Sequence, residues 1–331
     1  MKRVVLVRPS YSGVYKLFKD KSRTPIVPPI GLGYIASVLR GGTYDGDSIR
    51  KGEASKYDPI IIDNEILKLE SGKLADLIIE YQPIMVGISA ATTSFFEALE
   101  IAKAIKERSN IYTCLGGTHA TSLGEGALKE GEYFDCLIQY EGEYTLLELL
   151  EALENKSDLK KVSGLIYRED DKVVINNLRP LIPDLDRLPL QAYDLLDMSK
   201  YVPHPTQYKV LPNYPLVIQR GCPYNCAFCD AWAVHGRQIR HRSVDNVMKE
   251  LTLLKEKYNA KGVYFQDSTF LINKVYIKEL LNRMIDEKLN LTWACNTRVN
   301  TVDREILDLM KKAGCWMVVY GIESGNQKSL D

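Results

Sequence analysis

The chain has 331 residues, enough for two domains that each bury a core. Its 43 Lys and Arg balance 43 Asp and Glu, so no whole-chain bias draws it to nucleic acid or an anionic membrane surface. No stretch reaches the ~20 apolar residues of a membrane span, and the opening run Met1–Pro9 is too short for a signal peptide.

Residues 1–155 read as a first domain. Its strand candidates are Val4–Val7, Ile60–Ile62, Ile84–Ser89, Tyr112–Leu115 and Cys136–Gln139. They are short and lack clean alternation, as expected of parallel strands covered on both faces. Between them, Phe96, Leu99, Ile101, Ala102 and Ile105 recur near a 3.6 period within Phe95–Arg108, and Leu146, Leu147, Leu149, Leu150 and Leu153 do so within Glu143–Leu153. This β-α alternation predicts a doubly wound parallel sheet of flavodoxin-like order, with ligands at the strands' carboxyl ends. Three loops lie there: Ser89-Ala90-Ala91-Thr92-Thr93, Gly116-Gly117-Thr118-His119 and Tyr140-Glu141-Gly142-Glu143. Small residues let a ligand approach the backbone, and hydroxyls with free helix amides suit a phosphate- or amide-bearing tail. Such loops also occur in α/β folds without any ligand. Gly31-x-Gly33-x-x-Ala36 has a dinucleotide spacing, but Pro28-Pro29 stands where a strand is required, so NAD is discounted. The charged segment Gly41–Tyr57 is longer than the usual connection of about 2–6 residues and receives no functional reading.

Residues 156–213 read as a linker. Gly164–Arg168 and Lys172–Asn176 flank Asp170-Asp171 as a hairpin, and three prolines within Arg179–Pro189 favour an extended strap. His204, between two prolines, reads as an exposed loop residue.

The second domain, residues 214–331, opens with Leu216-Val217-Ile218-Gln219 as a strand-like run. Cys222, Cys226 and Cys229 follow with C-x3-C-x2-C spacing. Three thiolates on one loop hold three irons of a 4Fe–4S cube and leave the fourth open for chemistry. A zinc site with His235 as fourth ligand is the alternative, though the spacing fits none of the common zinc patterns. The other cysteines, Cys114, Cys136, Cys295 and Cys315, lie in apolar runs and read as reduced core thiols, which implies a reducing compartment, most simply the cytoplasm. Helices are expected over Ser243–Tyr258, Lys274–Glu287 and Val302–Ala313, alternating with strands Gly262–Gln266, Leu291–Cys295 and Trp316–Tyr320. These units predict a (β/α) barrel with functional groups at strand C-termini. The strand ends carry Gln266-Asp267-Ser268, Asn296-Thr297-Arg298 and Gly321-Ile322-Glu323-Ser324-Gly325.

The cysteine motif and these strand ends resemble the radical S-adenosylmethionine (SAM) superfamily. The resemblance implies that SAM chelates the open iron and is cleaved to a 5′-deoxyadenosyl radical. It sets Phe228 near the adenine, Arg298 on the SAM carboxylate, Glu323 or Ser324 on the ribose or amino group, and Gln266 and Asp267 among the other SAM contacts. Pro28–Ala36, Val86–Ser89, Leu115–His119 and Glu141–Glu143 match, in order, the cobalamin-binding domain that precedes many such cores. Implied cobalamin contacts are Ser89, Thr92, Gly116, Gly117, Thr118, Glu141 and Gly142. None of His119, His204, His235 or His241 lies in the D-x-H-x-x-G context of a cobalt-ligating histidine, so cobalt takes no protein histidine.

The resemblance implies a cobalamin-dependent radical SAM C-methyltransferase. Alternatives are a radical oxidative cyclase or rearrangement enzyme like the anaerobic porphyrin-ring cyclases, or an inactive remnant that binds the cluster or cobalamin. A tRNA methylthiotransferase needs three further cluster cysteines, and only Cys114 and Cys136 precede the linker. Expected partners are a small-molecule or biosynthetic-intermediate substrate and a low-potential electron donor such as flavodoxin or ferredoxin. Cores of this kind have six strands and only four are legible here, so the chain is expected to be C-terminally truncated, with Trp316–Tyr320 at an edge.

Overall fold

The computed structural model describes residues 1–11, 26–41, 43–44, 49–50, 56–170 and 172–330. Most of the charged segment after Gly41, and Asp171 in the hairpin turn, lie outside the described residues. The chain divides into two compact units. One comprises Met1–Ile182, Leu188–Lys200 and Ala233–His235, the other Pro183–Arg187, Tyr201–Trp232 and Gly236–Asp331.

In the first unit the elements are β1 (Lys2–Arg8), α1 (Ile30–Leu39), β2 (Tyr57–Asp63), α2 (Ser71–Glu80), β3 (Met85–Ser89), α3 (Phe95–Lys106), β4 (Tyr112–Gly116), β5 (Cys136–Ile138), α4 (Gly142–Glu154), β6 (Leu165–Glu169) and β7 (Lys172–Ile175), with shorter helices between β4 and β5. They form one seven-stranded sheet of order β2-β1-β3-β4-β5-β6-β7. The first five strands are parallel and take the flavodoxin-like order. The hairpin β6–β7 pairs antiparallel to β5 and so extends this sheet.

Residue alternation splits the core between the two faces of the sheet. Val5 and Val7 of β1 pack with Leu74 and Ile78 of α2 and with Ala98, Ile101 and Ile105 of α3. Val4 and Leu6 pack with Leu32, Ala36 and Leu39 of α1 and with Leu146, Leu149 and Leu150 of α4. In α3 the buried aromatic is Phe95, and Phe96, expected on the inner stripe, is 79% exposed. One residue is a 100° step around a helix, which moves a side chain from stripe to solvent. Gly33 has a packing reason. A Cβ there would meet Gln191 Oε1 at 3.2 Å, while Ala192 N–H donates to the Gly33 carbonyl at 3.2 Å and Ser37 Oγ to the Leu190 carbonyl at 2.6 Å. The segment Leu190–Ala192, just past the proline-rich strap, therefore lies along the small face of α1.

The second unit contains β8 (Asn213–Leu216), β9 (Gln219–Arg220), β10 (Arg240–His241), α5 (Val244–Lys257), β11 (Gly262–Phe265), α6 (Lys274–Asp286), β12 (Thr292–Thr297), α7 (Arg304–Lys312) and β13 (Cys315–Tyr320). Strands β8-β11-β12-β13 form a parallel sheet in sequence order, with β13 at its edge. The Ser243 hydroxyl caps α5, accepting from Asn246 N–H at 3.1 Å, and Gly314 closes α7 at φ 99°. Phe265, Phe270 and fully buried Trp293 fill the centre. Among the described residues no helix is long and apolar enough to cross a membrane.

Candidate functional site

The parallel strand before the cysteines ends earlier than its apolar run implies. β8 stops at Leu216, and the chain turns into β9, which pairs antiparallel with β10 through Gln219–His241 and Arg220–Arg240. Asp267, at the end of β11, explains the turn. Its Oδ1 accepts from the Ile218 and Gln219 amides at 3.0 and 2.9 Å, taking donors that would otherwise continue the ladder. Asp267 is 2% exposed, and burial pushes its carboxyl up to about 7 against the pull of those amides. Arg242, just past β10, donates Nη1 to the Val217 carbonyl at 3.1 Å and pairs with fully buried Glu250.

Beyond this neck lies the loop with Cys222, Cys226 and Cys229, all free and partly buried. Gly221 starts it at φ 103°, where a Cβ would sit 2.2 Å from the Gln238 carbonyl oxygen, so only glycine fits. Cys222 N–H donates to the Gly236 carbonyl at 3.0 Å. Two cations grip the loop. The Arg298 guanidinium lies 4.1 Å over the Tyr224 ring and donates to Cys226 Sγ at 3.1 Å. Arg237 donates to Asn225 Oδ1 at 2.9 Å and to the Tyr224 carbonyl at 3.4 Å, and lies 4.4 Å over the Trp232 ring. Among the described residues no three His, Cys, Asp or Glu side chains converge as a single ion requires. A cube instead takes its thiolates at separate corners, and a short loop of three soft sulfur donors fits that demand.

The expected SAM residues are not all free to meet a ligand. Asp267 is committed to the neck. Arg298 comes from the end of β12 to the cysteine loop. Gln266 is half-buried, and its amide donates to the Leu216 carbonyl at 2.8 Å. Phe228 is 70% exposed on the loop. Glu323, at φ 64°, is exposed, and Ser324 is half-buried with its hydroxyl accepting from Asn326 N–H at 3.0 Å.

In the first unit, Ser89 and Gly116 face each other across the ends of β3 and β4. A Cβ on Gly116 would meet nothing within 4 Å, so open space lies over this edge. Thr92 and Thr118 beside it are exposed. Gly117 is different. It sits at φ 91°, ψ −172°, and a Cβ would stand 2.6 Å from the Ala90 carbonyl oxygen. It is therefore glycine for the protein's own backbone before any ligand. Glu141 is buried and accepts from Ile182 N–H at 2.6 Å, so it fastens the strap. Gly142 would place a Cβ in ordinary contact with Ile138 and Ile35. His119 is buried, stacked 3.9 Å from Phe95, with Nδ1 3.2 Å from Thr92 Oγ1, and burial lowers its pKa. Among these residues Gly116 has open space beside it, whereas Gly117 and Glu141 are engaged by the protein's own chain.

Tyr224 and Arg237 escaped the reading of the sequence. Their signal was weak: an aromatic inside the motif and an arginine just past Gly236.

Comparison with known proteins places these features in a family. Residues 21–150 match the B12 binding domain, and residues 216–331 match the radical SAM superfamily. An uncharacterized methyltransferase of Pyrococcus horikoshii is 33% identical over 332 residues, covering 100% of this chain and 67% of its own. The anaerobic magnesium-protoporphyrin IX monomethyl ester cyclase of Rubrivivax gelatinosus is 30% identical, covering 99% of this chain and 57% of its own. The radical SAM methyltransferase TsrM from Kitasatospora setae, solved with cobalamin and a [4Fe-4S] cluster bound, superimposes with a TM-score of 0.75 at 18% identity, covering 97% of this chain and 61% of TsrM. The chain thus spans between about half and two thirds of the length of such relatives. It belongs to the radical SAM superfamily, in the branch where a B12 binding domain precedes the cluster-bearing core.

Proposed function

We propose that the chain carries the cobalamin and cluster sites of a cobalamin-dependent radical SAM C-methyltransferase. The observation that carries this is the neck-closed loop of three free thiols on a parallel core, preceded in the same chain by a flavodoxin-like sheet with open space at Gly116. Cys222, Cys226 and Cys229 would hold the cube, with Arg298 and Arg237 balancing its negative charge. Phe228 and the Gln266, Glu323 and Ser324 strand ends would receive SAM. Ser89, Thr92, Gly116 and Thr118 would meet the corrinoid. Bound there, the cluster supplies the electron that cleaves SAM, and the corrinoid supplies the methyl group. The protein's part is to hold these groups and the substrate in register.

The substrate is a small molecule or biosynthetic intermediate with an unactivated carbon. Electrons come from a low-potential donor such as flavodoxin or ferredoxin, and seven free cysteines suit a reducing compartment such as the cytoplasm. The cyclase of Rubrivivax gelatinosus, at 30% identity, favours a second reading, oxidative ring closure.

The test is anaerobic reconstitution with iron, sulfide and hydroxocobalamin, then incubation with methyl-labelled SAM and a reductant. The expected result is about four irons per chain, retained corrinoid and formation of 5′-deoxyadenosine. Label appearing in a product favours methylation, and deoxyadenosine formed with an unlabelled, oxidised product favours cyclisation. A chain that takes up neither iron nor corrinoid refutes the proposal.

A further inference from the structure

We propose that Asp267 is a positioning residue for the cysteine loop, acting through the backbone of its neck. This rests on the reading of Cys222, Cys226 and Cys229 as cluster ligands. From Leu216 onward, successive backbone groups are held from outside the strand. The Leu216 carbonyl accepts from Gln266 N–H at 2.8 Å, and the Val217 carbonyl from Arg242 Nη1 at 3.1 Å. The Ile218 carbonyl accepts from Arg242 N–H at 2.9 Å. The Ile218 and Gln219 amides both donate to Asp267 Oδ1. The Gln219 side chain returns the connection, donating to the Thr269 carbonyl at 2.7 Å. On the outbound stem His241 pairs with Gln219, and its ring lies 4.6 Å from that of Tyr276 on α6. Asp267 is thus the side chain on which the inbound stem hangs, three residues before Cys222.

The geometry also explains why an acid stands at this place. One oxygen accepting two amides from consecutive residues fixes the direction of the chain, and an acid supplies that oxygen in either protonation state. Asp267 is 2% exposed, so its carboxyl lies inside the neck and not on the surface. Its neighbours in sequence, Gln266 and Ser268, are the ones with exposure.

Amide hydrogen exchange of the apo chain and iron release from the reconstituted chain to a chelator test this, in wild type, Asp267→Ala and Asp267→Asn. In D267A each amide loses its side-chain acceptor, worth about fivefold in exchange at Ile218 and Gln219. Iron release should accelerate to a similar degree, with the amides of β11 to β13 protected as in wild type. D267N keeps an oxygen acceptor and should recover most of both properties. Wild-type Ile218 and Gln219 amides that exchange as freely as exposed loop amides overturn the anchor, whatever the variants do. Lost protection with unchanged iron release overturns the positioning role. A wild-type chain that binds no iron refutes the cluster reading instead, and the exchange experiment still judges the anchor.

Discussion

Replacing Gly117 by alanine separates a glycine kept for the fold from one kept for a ligand. At φ 91°, ψ −172° the residue lies where side chains are essentially excluded, at a cost of about 1–3 kcal/mol. The added Cβ would also stand 2.6 Å from the Ala90 oxygen and 2.9 Å from the Ala90 nitrogen, both main-chain atoms. Those two atoms bond to His119 N–H and the Gly116 carbonyl, at 3.1 and 3.0 Å. Moving Ala90 aside weakens both bonds, at about 1 kcal/mol each. The sum is about 3–5 kcal/mol, or a melting shift of about 6–20 °C for a unit of this size. Gly116→Ala is the partner experiment. Its Cβ meets nothing within 4 Å and its φ is negative, so its cost should stay within about 0.5 kcal/mol. Both variants are melted as the full chain without cofactors, following circular dichroism. G117A melting with wild type, or G116A falling as far as G117A, would show that the close approach of Ala90 does not govern this loop.

Gly116→Leu, in contrast, should keep the fold but fill the open space over the sheet edge, so hydroxocobalamin should no longer co-elute through gel filtration; undiminished retention places the corrinoid elsewhere. The Asp267 carboxyl is raised from its ordinary 3.8 to about 7. Its protonated form therefore favours folding, and the stability of wild type relative to D267N should fall as pH rises between those values. The slope is about 1.4 kcal/mol per pH unit, measured by urea denaturation of the apo chain, and parallel pH curves for the two proteins refute the assignment. Glu250→Gln leaves Arg242 buried without its counter-charge and should lower the urea midpoint by the equivalent of about 3 kcal/mol; a loss under about 1 kcal/mol means that the Asn246 and Val217 oxygens suffice. Replacing Cys222, Cys226 and Cys229 together by alanine should abolish iron uptake and the cluster's visible absorbance while the melting curve of the apo chain stays in place.

The parallel strands were legible because being buried on two faces writes itself as short apolar runs, and the cysteine loop because its spacing is rare. Both are local signals. What escaped was set by tertiary approach. Gly116 and Gly117 are adjacent and identical in sequence, yet only Gly117 has the positive φ and the clash. Asp267 was legible as an acid at a strand end, but which way its carboxylate turns depends on where β8 stops, and that is decided across the sheet. Glu141 likewise sits in a ligand-type loop and is claimed by the strap, 41 residues on. The hairpin showed its turn but not its partner, because pairing with β5 is a long-range choice.

Between Ile218 and Val244 no apolar side chain is buried. The hydrophobic term that drives folding therefore owes little to the segment that bears the thiols. The expected consequence is a manufacture in two stages, checked by whether the apo chain melts cooperatively before any iron is added. The scaffold can be completed as the chain is made, in air or in a cell starved of iron, and then wait for a metallocluster delivery system to finish it. Oxidative loss of the metal would run the second stage backwards, leaving an inactive but intact scaffold available for repair rather than a misfolded chain destined for degradation.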